Sequence, residues 1–104
     1  VKYYVIRNGQ PVHADLLQWV DWLQAHGAVV VQHEITSDLL VSTIFLGFDI
    51  FDREPPLLWE TVRLQGGHVE CVSRFSDLEV ALDFHHALVR EATRALVVDV
   101  RSRN

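Results

Sequence analysis

Between positions 27 and 75 the chain strings together four apolar stretches with only short breakers between them. This pattern restricts the fold more than any other feature of the sequence. Residues 28–36 are dominated by Val and alternate with Gln32 and Glu34. Ser37-Asp38 forms a turn, and 40–48 is the most hydrophobic stretch, interrupted only by Ser42 and Thr43. A breaker follows at 49–56, where Asp-Arg-Glu-Pro-Pro interrupts pairing. In 58–64, Leu58, Val62 and Leu64 alternate with Trp59, Thr61 and Arg63. Gln65-Gly66-Gly67 reads as a hairpin turn into 68–75. In that last stretch Val69, Cys71 and Phe75 are assigned to one side. Runs of this length, rich in β-branched and aromatic residues and bounded by turn residues, are strands. Short connections make consecutive strands neighbours, so the four predict an antiparallel meander.

The period changes on either side of this block. In 14–26, Leu16, Trp19, Val20 and Leu23 fall at i, i+3, i+4 and i+7, one face of a helix. Trp22 widens that stripe, Asp15 belongs to the first turn and Gly27 stops the helix. Ser76-Asp77-Leu78-Glu79 reads as a capping box with Ser76 at the N-cap. The helix it opens is expected to reach about Ala95, on a stripe of Leu78, Leu82, His85, Val89, Ala92 and Leu96. Residues 96–100 either continue that helix or form a terminal strand. Ahead of everything, 2–7 is a strand closed by Asn8-Gly9, after which Pro11 keeps the chain extended or turning. The order β-α-β-β-β-β-α predicts one α+β domain over 1–104, a two-layer sandwich whose mainly antiparallel sheet is covered by two helices. The first strand is left to dock at a sheet edge or across a dimer axis.

Composition narrows the partners. The net charge of −5 disfavours a general nucleic-acid binder, which needs Lys and Arg against phosphate. The single cysteine, Cys71, excludes an internal disulfide and is read as a small, inert, buried thiol. No apolar run approaches the ~20 residues that span a bilayer, and 1–7 is too short and interrupted for a secretory signal. A cytoplasmic protein without membrane contact is expected.

No constellation of catalytic residues stands out. The adjacent His85 and His86 diverge by about 100° on a helix, and His33 and Glu34 point to opposite faces of a strand. Metal-ligand spacings and the Gly-x-Ser-x-Gly elbow are missing, so neither a metal nor a cofactor is expected. Asp49, Asp52, Glu54, Glu60 and Glu70 read as solvated charges near the meander's loops. The three tryptophans are more informative. Trp19 fits the buried stripe, whereas Trp22 on its margin and Trp59 opposite Leu58 and Val62 suit a half-exposed binding or self-association surface.

Several segments resemble, in order, a family of small uncharacterised bacteriophage and prophage proteins. Val41-Ser42-Thr43-Ile44-Phe45-Leu46-Gly47-Phe48-Asp49 is similar to that family's Val-Ser-Thr-Val-Phe-Leu-Gly-Leu-Asp-His signature. The segment from Pro55 to Val62 resembles its Pro-Pro-x-x-Phe-Glu-Thr-Met stretch, and Gly66-Gly67 its Gly-Gly. Arg74-Phe75-Ser76 resembles its Arg-Tyr-Ser, and His85 falls where its last helix has Gly-His. The resemblance implies provenance rather than an activity, and it draws attention to Asp49, Glu60, Thr61 and His85. Ile50 stands where the family has His. Two readings follow. One is a non-enzymatic accessory protein acting by protein contact, with a homodimer or a host or phage protein as partner and Trp22 and Trp59 as binding residues. The other is a small enzyme or metal-binding protein in which Asp49, Glu60 and His85 converge.

Overall fold

The computed structural model describes residues 1–102. It has the expected α+β composition, with one more strand than the sequence patterns suggest. Strand β1 (Tyr3–Arg7) pairs with β2 (Gln10–Ala14), helix α1 (Leu16–His26) follows, and then come β3 (Val29–Thr36), β4 (Leu39–Phe45), β5 (Trp59–Gln65) and β6 (His68–Phe75). Helix α2 (Leu78–Ser102) ends the described chain. The last four strands form the expected antiparallel meander in the order β3-β4-β5-β6.

The first strand docks through a hairpin of its own. Asn8 and Gly9 both take positive φ, 51° and 77°, the conformation of a tight two-residue turn. Pro11 pairs with Ile6 in β2. A two-stranded sheet consists of two edges, and an edge tolerates proline. The Tyr4 amide donates to the Gly47 carbonyl at 2.7 Å, and Tyr3 bridges to Phe48, which ties the hairpin to the end of β4.

Helix α1 starts at Leu16, two residues after the expected start at 14, because Asp15 is its N-cap rather than part of its first turn. The Asp15 carboxylate accepts from the Gln18 amide at 2.8 Å, and the Gln18 side-chain oxygen accepts from the Asp15 amide at 2.9 Å. Gly27, at φ 77°, closes the other end. The helix does not lie beside α2 on the large sheet as expected. It packs chiefly on β1, and Leu16 from the predicted stripe stays exposed.

Helix α2 packs across β3, β4, β5 and β6. Its N-cap is Asp77, not Ser76: the Asp77 carboxylate accepts from the Glu79 amide at 2.8 Å and from the Val80 amide at 3.3 Å. Residues 96–100 continue the helix, which runs past the predicted end at Ala95. The core cluster is Phe45, Leu58, Trp59 and Ala81, with Tyr4, Ile6, Trp22, Phe75 and Leu78 packed against it. Among the described residues no helix is long and apolar enough to cross a membrane.

A register shift changes one strand face. Thr61 pairs with Ser73, but Val62 pairs with Cys71, so Val72 is an extra residue in β6. Phe75 therefore shares the α2 side with Trp59, whereas Cys71 shares the opposite side with Val62. Cys71 is exposed rather than buried.

Candidate functional site

The three residues of the catalytic or metal-binding reading are held by three different sets of partners. Asp49 is buried at the start of the loop between β4 and β5. Its Oδ1 accepts from the Phe51 amide at 3.0 Å and Arg53 Nη2 at 3.0 Å; its Oδ2 accepts from Arg53 Nε at 2.9 Å and the Leu57 amide at 3.1 Å. The Arg53 guanidinium, then the two amides, hold the Asp49 carboxyl well below the usual carboxylate range, against the upward push of burial. A carboxylate so engaged makes a poor proton acceptor at neutral pH; it fastens the loop.

Glu60 sits on β5 next to Thr61, and strand alternation sends the two side chains to opposite faces. On the face away from α2, Glu60 accepts from Arg74 Nε at 3.3 Å. Partial burial first, then the Glu60 charge, push the nearby Cys71 thiol upward, which keeps it protonated and a weak nucleophile.

His85 is fully buried under the turn of α2 that faces β4. Its Nδ1 lies 2.8 Å from Thr43 Oγ1, and Thr43 Oγ1 lies 2.7 Å from Thr61 Oγ1. Its Nε2 lies 2.8 Å from Nδ1 of His33 on β3, a spacing bridged by one proton. Burial, then the neighbouring His33 and His86, push His85 down to about 4. It is neutral at pH 7 and satisfied at both nitrogens. Thr61, which the family resemblance singles out, does join His85; Asp49 and Glu60 do not. Thr43 and His33 are not among the candidate site residues that the sequence suggests. Their signal is phase: Thr43 shares the inward face of β4 with Val41 and Phe45, and His33 pairs with Val41.

Among the described residues no group of three or more His, Cys, Asp or Glu side chains is arranged to hold a metal ion.

The tryptophan pair comes out differently. Trp59 is 4% exposed and belongs to the core, not to a half-exposed surface. Its side chain takes the strand face that the alternation predicts, opposite Val62, but α2 covers that face. Trp22 is half-buried, as its marginal place on the stripe predicts. The two indoles nevertheless line the same cavity of about 320 Å³. Trp22 meets Phe45 edge-on at 5.3 Å between ring centroids, and Phe45 meets Trp59 at 5.5 Å. His26 stacks on Trp22 at 4.5 Å, so four rings follow one another in contact. Ile6, Leu78, Val29 and Val30 complete the apolar wall, and the two valines are 56% and 42% exposed. The groove thus forms where the hairpin, the end of α1, the start of β3 and the start of α2 meet. An opening of this kind binds by removing apolar surface from water, worth about 25 cal/mol per Å².

Compared with known proteins, the chain matches no protein-family model, no curated protein and no solved structure.

Proposed function

We propose that this chain is a non-enzymatic accessory protein, of the bacteriophage type its segments resemble, that works by holding a partner protein at the Trp22 groove. The observation that carries this reading is the row His26–Trp22–Phe45–Trp59 lining an open apolar cavity of about 320 Å³. That volume lies at the lower end of the roughly 300–1,000 Å³ typical of ligand sites, and it suits one large side chain. Aromatic-lined pockets that take such an anchor supply most of the energy of protein interfaces. Asp49, Glu60 and His85 are each engaged by a separate set of partners, which supports binding over joint catalysis by the three.

The test is capture from a bacterial host lysate on the immobilised full chain, with Trp22→Ala and Val30→Lys as paired variants. A partner retained by the wild-type chain and lost by both folded variants is the expected result. A partner retained equally by all three would overturn the reading. Sedimentation of the isolated chain covers the remaining occupant: a dimer abolished by both variants would make a second copy the partner.

A further inference from the structure

We infer that the segment docking in this groove is basic as well as apolar, presenting a large apolar anchor with Lys or Arg close by in sequence. The inference rests on the groove reading and specifies its partner. A second cavity, of about 330 Å³, adjoins the first, and Gly9, Trp59 and Leu78 line both. Its character is different: Asp77 and Glu79 contribute two carboxylates, and Ser76 and Gln10 add neutral polar groups. No Lys or Arg lines either cavity. Among the described residues neither carboxylate belongs to an ion pair. Both cap bonds of Asp77 end on Oδ1, so Oδ2 keeps its acceptor capacity.

The start of α2 lies here too, with a partial charge of about +0.5. Two full negative charges outweigh it. The whole chain carries −5, so the long-range field points the same way. An occupant bridging both cavities therefore meets aromatic rings at one end and uncompensated carboxylates at the other. A cationic side chain beside an apolar one matches both ends. A purely apolar segment matches only the aromatic end, and an acidic one is repelled at the carboxylates. An extended chain advances about 3.5 Å per residue, and the cavities share a wall, so the two side chains belong within about three residues of each other.

The experiment selects a displayed library of random decapeptides against the immobilised full chain. The consensus peptide is then synthesised and titrated by tryptophan fluorescence at low and high salt. Wild-type selection is expected to enrich an aromatic residue or Leu with Lys or Arg within three positions. The affinity of the consensus peptide is expected to fall at least tenfold in Trp22→Ala and in Val30→Lys. It is expected to fall about fivefold in the Asp77→Asn/Glu79→Gln double variant, where Asn preserves the helix cap, and to weaken with salt. Val30 is exposed, so its variant keeps the test valid even where Trp22→Ala misfolds. Peptides that depend on Val30 but show no basic preference, and bind the double variant unchanged, would overturn this inference and leave the groove reading standing. A library that yields no peptide sensitive to Trp22 or Val30 would overturn both.

Discussion

Gly47 shows how a single position can hold the hairpin, α1 and the sheet together. It has φ 74°, and a Cβ there would collide with the Trp19 indole and lie 2.8 Å from the Tyr4 carbonyl oxygen. Those are the groups that seat α1 and β1: Trp19 Nε1 donates to the Leu46 carbonyl at 3.0 Å, and the Tyr4 amide donates to Gly47. Gly47→Ala combines left-handed strain with overpacking, so a loss of more than about 2 kcal/mol is expected by urea denaturation. Gly66→Ala, where a Cβ meets nothing within 4 Å, serves as the control and should lose only about 1 kcal/mol. His85 gives a second residue-level expectation. Its folded value of about 4 lies below its ordinary 6.5, so the fold favours the neutral ring. That contribution is complete above pH 6.5 and drains away as pH falls towards 4, by about 3 kcal/mol in all. Asp49, held below its ordinary 3.8, contributes above that value and loses its contribution only at lower pH, so the two windows do not overlap. Urea midpoints of the wild-type chain should fall between pH 6.5 and 4, and His85→Gln should flatten that slope. A wild-type midpoint constant across this range would refute the account. Residues of the Val41–Asp49 segment thus have physical roles: Thr43 in the buried network, Phe45 in the core, Leu46 and Gly47 as carbonyl acceptors, Asp49 as the loop fastener.

At the scale of elements, the two helix starts separate what the pattern specifies from what packing decides. Ser76 and Asp77 are both good N-caps, and Glu79 completes a box only with Ser76. The structure uses Asp77 because the helix phase is set by burying Ala81 and His85 against the sheet, with Leu78 packed on the core. Asp77→Ala and Asp15→Ala should each lower stability by about 1 kcal/mol, Asp77→Asn and Ser76→Ala by a few tenths at most. Thermal unfolding of the four variants checks this, and a larger loss at Ser76 than at Asp77 would reverse the assignment. The four-strand meander was legible because alternation and turn residues agree at every junction. Strand β2 was not, since Pro11 and His13 dilute its pattern and only the Asn8-Gly9 turn announces a partner. The bulge at Val72 left no mark in the residue pattern, and it alone moved Cys71 to the exposed face. The groove was half legible: Trp22 and Trp59 were singled out, but only the fold places them on one wall.

The whole molecule is longer than its residue count suggests. Its Cα radius of gyration is 15.9 Å and its extents are 56 × 25 × 24 Å, against about 13 Å for a compact chain of this size. The cause is a mismatch between layers. Helix α2 has 25 residues, about 37 Å at 1.5 Å per residue, while β4 and β5 have 7 each, about 24 Å at 3.4 Å per residue. The far end of α2 therefore overshoots the sheet, leaving Leu96, Val97, Val98 and Val100 between 37% and 61% exposed. Three of these are valines, whose β-branched side chains weaken a helix end that leaves them this exposed. The amides of 96–102 should exchange with solvent through local fraying, whereas those around Ala81 and His85 should exchange only through global unfolding. The two ends of α2 are also well separated in space. Leu78 lines the groove, and Leu96 lies about 27 Å further along the helix axis. A peptide seated in the groove should slow exchange at Ile6, Val29 and Val30 and leave 96–102 as fast as before. Protection of both regions by one short peptide would mean that the helix end folds back towards the groove, against the extended shape of the structure.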